Sequence, residues 1–320
     1  MTLTHVVDEY VIVKRATGLR FRSGAMILRT FARVTGAMEV HDVTPDTVRA
    51  FLQRSGPTIT SGWHQKHYTL AGFFRFAMQR GLVSTSPVAY RVPKRPAYAT
   101  PYIYSEDELR RLLEATSTLD RPHPKNGQPA TIPALTFRTL LVLLYGAGLR
   151  LGEALALTLD DVDIPAHLLI VRNTKFFKTR MVPIGPRLSS ALGRYADTRL
   201  ALLRRPPAGT AFLLRRNGVA ISLHTAERYF RMLRRRIDIG RRDGAYFQPR
   251  LHDLRHSFAV HRLVAWYRQG ADVQRLLPTL STYLGHMGLA ETQHYLTMTP
   301  ELLREAGQRF ERYGGAEVQS

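Results

Sequence analysis

The 320-residue chain contains no cysteine. Disulfides, thiolate nucleophiles and zinc sites with sulfur ligands are therefore excluded. Acidic side chains are scarce, 25 Asp and Glu against 46 Lys and Arg, for a formal net charge of +21. The excess runs through both halves. Residues 1–98 hold 14 basic and 5 acidic side chains, and residues 99–320 hold 32 and 20. A field of one sign over the whole chain predicts a polyanionic partner, with nucleic acid the natural candidate. Long apolar runs are missing too. The longest, "LLVLLYGAGL", ends at Arg150 and falls far short of the roughly 20 residues a membrane span needs. Asp8, Glu9, Lys14 and Arg15 interrupt any apolar signal core at the N-terminus, so a soluble, intracellular protein is expected. There is no H-E-x-x-H, and Asp253, the acidic residue within the His-rich stretch 251–262, points to another side of its helix. No metal and no cofactor are implied.

What is present is mostly helical spacing. "LTHVVDEYVIVKRA", "RSGAMILRTFARVTG" and "SGWHQKHYTLAGFFRFAMQRG" carry apolar residues at helical intervals. "TPDTVRAFLQRSG" adds Thr44 as N-cap, Pro45 at the first helical position and Gly56 as a stop. These four helices predict a small all-α domain over residues 1–90. "SPVAYRVPKRPAYATPYIY" has prolines at 87, 93, 96 and 101 and reads as an extended basic linker, placed at 91–104. Its Arg91, Lys94 and Arg95 are candidates to follow a phosphate backbone. Order resumes with a capping box, Ser105 to Glu108, and a second domain is expected over 105–320. This domain is mainly α with a small β insertion. "LLIVRN" and "RMVPI" are β-rich runs around a basic tip that contains Lys175 and Lys178, with Arg180 just after it.

The polar features of the second domain fall in a fixed order. "GLRLGE" contains Arg150 and Glu153. The hairpin supplies Lys175, with Lys178 and Arg180 as rivals. "HDLRH" places His252 and Arg255 at i and i+3. "LGH" gives His286, and nine residues later "HYL" gives Tyr295. A planar guanidinium suits the nonbridging oxygens of a phosphodiester. A phenol is a poor nucleophile at neutral pH and needs cations and a proton acceptor beside it.

This order resembles the tyrosine recombinases, the integrase family of phages and bacterial mobile elements. The five motifs cover about residues 100–300, and the first 95 residues match in outline only. The resemblance implies a helical, SAM-like core-binding domain joined to a mixed α/β catalytic domain, which together clamp duplex DNA. It makes Tyr295 the nucleophile that forms a 3′-phosphotyrosyl bond, without metal or ATP. Arg150, Arg255 and His286 would hold the phosphate. His252 would accept the phenolic proton, Lys175 would protonate the leaving 5′-oxygen, and Glu153 would orient pocket groups. Lys178 and Arg180 would touch the DNA backbone. The implied partner is double-stranded DNA with inverted-repeat core sites. The implied assembly is a homo-tetramer in the synaptic complex and a monomer or dimer when free, in some systems with a sister recombinase. A bacterial-type cytoplasmic, nucleoid-associated protein follows from the same resemblance. Two further readings remain open on residues alone: a type IB topoisomerase, and a catalytically silent DNA-binding regulator.

The chain departs from the family pattern in two places. Thr297 stands where a second His often follows the nucleophile, and the segment from Arg255 to His286 is long. His256 and His261 are expected to be structural. The tail after Thr299 reads as a short amphipathic helix with Leu302, Ala306, Phe310 and Tyr313 on one face, ended by Gly314 and Gly315. The resemblance implies that it docks into a neighbouring protomer.

Overall fold

The computed structural model describes residues 1–19, 21–56, 58–89, 91–94, 100–122, 127–172, 179–202, 209–243 and 247–297, with Leu302, Arg304, Glu305 and Gly307 in the tail. The chain divides into two compact units, Met1–Tyr98 and Ala99–Ser320.

Unit 1 holds α1 (Leu3–Ala16), α2 (Arg22–Thr35), α3 (Pro45–Gln53) and α4 (Ser61–Gln79). The caps work as the sequence predicts. Thr44 Oγ1 accepts from the Thr47 amide at 3.2 Å, with Pro45 in the first turn. The chain leaves α3 one residue earlier than Gly56 alone suggests: Arg54 occupies the C-cap, and the Gly56 amide folds back to Gln53 O. The four helices close over Val6, Leu28, Phe31, Leu70, Phe73 and Phe74, each buried. Arg91 and Lys94 lie in an exposed, irregular stretch.

Unit 2 opens with α5 (Glu106–Ala115), whose capping box forms: Glu108 N donates to Ser105 Oγ, and Ser105 N to Glu108 Oε2. Next comes α6 (Ala134–Gly146), apolar on most of its faces and therefore central. It packs on α8 (Pro186–Leu202) and α10 (His252–Arg268). The short α7 (Leu151–Ala156) precedes a three-stranded antiparallel sheet in the order β1 (Val162–Asp163), β2 (Leu168–Val171), β3 (Arg180–Pro183). The expected hairpin is β2–β3, with Val171 opposite Arg180 and Leu168 opposite Pro183. The two-residue strand β1 is an addition that no apolar alternation announces. The hairpin tip, with Lys175 and Lys178, lies outside the described residues, as does Arg95.

Then follow α9 (Leu223–Arg236), α10, α11 (Val273–Leu284), α12 (Leu289–Gln293) and a 3-10 turn, His294–Thr297. Helix α10 is fixed along its length. Asp253, buried, accepts from the Arg250 amide at 2.8 Å and from Arg250 Nη2 at 3.0 Å. Ser257 Oγ donates to Asp253 O and accepts from the Tyr104 amide, both at 2.8 Å. A separate apolar cluster joins Phe258, Leu263, Leu277, Leu284, Tyr295 and Leu302.

The tail departs from expectation. Leu302 is buried in that cluster on its own unit, and Glu305 pairs with Arg268 at 3.0 Å. Leu302 and Glu305 therefore pack on their own chain in this structure. Thr299, Ala306, Phe310, Tyr313, Gly314 and Gly315 lie outside the described residues.

Candidate active site

The C-terminus of α11 is the seat of the site. The last carbonyls of any helix lack intrahelical donors and carry partial negative charge. Here three consecutive carbonyls each receive an arginine from a different element. Tyr283 O accepts from Arg180 Nε at 3.2 Å. Leu284 O accepts from Arg255 Nη2 at 2.7 Å. Gly285 O accepts from Arg150 Nη2 at 3.0 Å. The L-G-H motif makes this possible. Gly285 adopts φ 68°, which ends the helix and turns the chain; its amide bonds to Thr282 O and that of His286 to Ser281 O. A Cβ at Gly285 would also come within 2.8 Å of the Arg180 guanidinium.

Glu153 ties two of these arginines together. Its Oε1 accepts from Arg150 Nη1 at 2.9 Å and Arg180 Nη1 at 3.0 Å, and its Oε2 from Arg180 Nη2 at 2.8 Å and the Arg150 amide at 3.0 Å. Burial alone would raise this carboxyl; Arg180 and Arg150 overcome that and hold it at about 2. Glu153 thus fixes Arg150 and Arg180, and the G-L-R-x-x-E spacing is a capping interaction at the start of α7.

Arg255 is the most enclosed of the three arginines, 2% exposed. The helical wheel sets it at the border of the core, yet it lies inside because a second main-chain acceptor reaches it. Gly148 O accepts from Arg255 Nη1 at 2.7 Å. Gly148 takes φ 59°, and a Cβ there would sit 2.6 Å from the Phe258 ring, so glycine is required for this approach. Burial, then the neighbouring Arg150, lowers the Arg255 guanidinium to about 10. It remains a cation at neutral pH, with guanidinium donors beyond those on the two carbonyls.

Tyr295 faces this group. It is 3% exposed, its hydroxyl lies 3.1 Å from His256 Nδ1, and its ring stacks on His286 with centroids 5.9 Å apart. Burial raises the phenol's pKa, while Arg255 and then Arg150 oppose the rise. His286 Nδ1 is 2.7 Å from Thr292 Oγ1 on α12, which fixes the imidazole. Burial, then Arg255 and Arg150, lowers His286 to about 4 and leaves it neutral. His252 is exposed at the start of α10, its ring edge-on to that of His256 with 4.6 Å between centroids.

The structure therefore brings together Arg150, Glu153, His252, Arg255, His286 and Tyr295. Two expectations change. Arg180 is not a backbone-contacting surface residue: its side chain is 14% exposed, and its guanidinium is spent on Glu153 and Tyr283 O. The register of β3 turns it inward. His256, expected to be structural, is the imidazole that contacts the phenol, one helical turn beyond His252. The i,i+4 spacing was visible; the side on which the 3-10 turn lays Tyr295 was not. His261 does serve packing, with Nδ1 2.9 Å from Tyr145 Oη. Tyr283, on α11, donates to Pro183 O at 3.2 Å and stacks on Phe258.

Fold and site point to a class: an enzyme whose arginines, fixed at one helix end beside a buried phenol, suit a phosphodiester. Comparison with known proteins agrees. Residues 103–301 match the phage integrase family. A putative integrase/recombinase, y4rB of Sinorhizobium fredii, is 35% identical over 97% of this chain and 98% of its own. Tyrosine recombinase XerC of Oceanobacillus iheyensis is 31% identical over 89% of this chain and 87% of its own. Among solved structures, the Tn1549 transposon integrase in complex with a circular intermediate DNA superposes with TM-score 0.66 at 16% identity, covering 97% of this chain and 99% of that one. A lambda integrase dimer bound to a COC′ core site gives 0.64 at 18%, covering 94% and 97%. The chain belongs to the phage integrase family.

Proposed function

We propose that the chain is a tyrosine recombinase that breaks and rejoins DNA at specific sites through a 3′-phosphotyrosyl intermediate. The observation that carries this reading is the Tyr295 phenol, buried against two imidazoles in the field of Arg255 and Arg150. In-line displacement at phosphorus spreads negative charge over the equatorial oxygens, so preset cations provide most of the catalysis. Arg150 and Arg255 would take those oxygens, with His286 beside them. Lys175, by family resemblance, would protonate the departing 5′-oxygen. Arg91 and Lys94, exposed, and Arg95 and Lys178 would contact the phosphate backbone.

The partner is double-stranded DNA. A lambda integrase tetramer on a Holliday junction shares the fold, at 19% identity with TM-score 0.60, and supports a tetramer here on paired inverted-repeat sites. Among the described residues no helix is long and apolar enough to cross a membrane, which fits action on cytoplasmic DNA. The similarity to mobile-element integrases favours integration, excision or transposition as the biological setting.

The test is covalent trapping. The DNA flanking the gene is footprinted with the purified chain, and the bound segment is rebuilt as a nicked duplex, from which a cleaved end diffuses away. The intact chain should form a denaturant-resistant adduct at a 3′-phosphate, and Tyr295→Phe should bind equally and form none. Failure of the intact chain to form any adduct would leave a DNA-binding regulator. An adduct persisting in Tyr295→Phe would move the nucleophile elsewhere.

A further inference from the structure

Family resemblance gives the phenolic proton to His252, the first residue of H-x-x-R. The geometry gives it elsewhere. The Tyr295 oxygen lies 3.1 Å from His256 Nδ1. His252 is one ring further out, edge-on to His256 and exposed to solvent. Half-buried His256 therefore stands between the buried phenol and the exposed imidazole. His252 and His256 lie on α10, pinned through Asp253 and Ser257, and Tyr295 lies on the 3-10 turn His294–Thr297.

We propose that His256 is the catalytic proton acceptor for Tyr295, and that His252 connects it to solvent. The inference rests on the tyrosine recombinase reading. In the step, the Tyr295 oxygen bonds to phosphorus and its proton passes to His256 Nδ1. The P–O5′ bond breaks, and the electron pair stays on the 5′-oxygen, which is protonated by the Lys175 ammonium. Rejoining reverses each transfer, with His256 returning its proton to the departing phenoxide.

The electrostatics suit a base that waits for its substrate. The groups that face His256 are His252 and Arg255 on its own helix, Arg250 before it, His286 after α11, and Tyr295. Burial, then His252, Arg250, Arg255 and His286, lowers His256 to about 3 in the DNA-free protein. It is therefore neutral at any physiological pH, and a neutral imidazole has one ring nitrogen that can accept a proton. An arriving phosphodiester places negative charge beside the arginines and offsets the field that disfavours the imidazolium. Proton affinity at His256 then rises only when there is a phosphate to attack.

The experiment measures single-turnover cleavage of the footprint-derived nicked duplex against pH, using the full chain. His256→Asn keeps an acceptor oxygen near the position of Nδ1 but cannot take the proton. Cleavage should fall by about 10²- to 10⁴-fold, the usual contribution of a general base. DNA affinity should be unchanged, which also reports that the variant is folded; His256→Gln is the second variant. The intact chain should cleave at a rate nearly independent of pH between about 6 and 8, whereas the Asn variant should gain about tenfold per pH unit as phenolate replaces the missing base. His252→Asn should lose less and keep the flat profile. If His256→Asn binds DNA and cleaves within a few-fold of the intact chain, His256 only packs against Tyr295 and the inference is wrong. If His252→Asn instead shows the large loss and the pH-dependent gain, the base is His252 and the inference is again wrong. An intact chain that forms no adduct overturns the recombinase reading itself, a result distinct from both.

Discussion

Both units are basic, yet they keep their charges in different places. Among the described residues of unit 1, no Asp, Glu, Lys or Arg is buried. Its core is aliphatic and aromatic apart from the buried His64 and His67, and Arg15, Arg22, Arg29 and Arg33 are exposed. Unit 2 buries Asp161, Arg199, Arg234, Asp253 and Arg255, and nearly buries Glu153 and Arg180. Taking an ion out of water costs several kcal/mol unless hydrogen bonds and counter-charges offset it, and an apolar substitute is often as stable. Stability alone does not call for the second arrangement. The contrast separates two tasks. Unit 1 can attract a polyanion with exposed surface charge. Unit 2 holds cations still, on main-chain carbonyls and one carboxylate, so that little reorganisation is left when a phosphate arrives.

The largest expected effect tests whether the fixed geometry in unit 2 matters beyond its charge. Arg150 reaches Glu153 and Gly285 O with two different nitrogens. A lysine keeps the charge and loses the fork. Arg150→Lys should therefore cleave about 10²- to 10³-fold more slowly, as for loss of one preorganised donor, and should be nearly as impaired as Arg150→Ala. Single-turnover cleavage decides it. A Lys variant close to the intact chain would show that unit 2, like unit 1, needs only positive charge.

Next in size is an acid-sensitive contribution confined to unit 2. Glu153 titrates at about 2 when folded, against an ordinary value of 4.5. A folded value below the unfolded one means the contribution is complete above about pH 4.5 and is lost as pH falls toward 2. The difference corresponds to about 3 kcal/mol. In Glu153→Gln that acid dependence should disappear, and the variant should be less stable at neutral pH by about 3–5 kcal/mol, because Arg180 and Arg150 lose their counter-charge. In unit 1, Asp8–Arg29 is exposed on both sides, and Asp8→Asn should cost less than about 1 kcal/mol. Urea unfolding at several pH values separates the two. Equal responses would erase the distinction between inner and outer charge.

The same distinction explains what was legible in the sequence. Unit 1 could be read closely because apolar period, Thr caps and glycine stops are local signals, and its core contains little else. In unit 2 the motif order picked out Arg150, Arg255, His286 and Tyr295, which the fold gathers around the end of α11. The carbonyls of Tyr283, Leu284 and Gly285 were not legible, because a main-chain acceptor has no residue signature. Arg180 was misread because one step of strand register decides which way its side chain points. The contact of His256 with Tyr295 was not legible because it depends on where a 3-10 turn 39 residues away lays the phenol. Long-range placement of polar groups, rather than secondary structure, is what the sequence concealed.

The smallest effect probes unit 1 directly. Arg15, Arg22, Arg29 and Arg33 line one shallow concavity between α1 and α2, with Met26 at its surface. Arg29 already pairs with Asp8, so Arg22 and Arg33 are the better probes. Each is exposed and contributes little to the core, so Arg33→Gln should change unfolding free energy by no more than about 0.5 kcal/mol. If it neutralises a DNA phosphate, its loss returns one counterion to the DNA. Affinity should then weaken alike on specific and unrelated duplexes, and the slope of log K against log salt should become shallower by about 0.9. Arg22→Gln should do the same, and the double variant should lose about twice as much slope. Binding measured by anisotropy over a salt series gives the number. An unchanged slope would place the DNA on another face of unit 1, and a lower affinity on the specific duplex alone would mean that Arg33 reads bases rather than backbone.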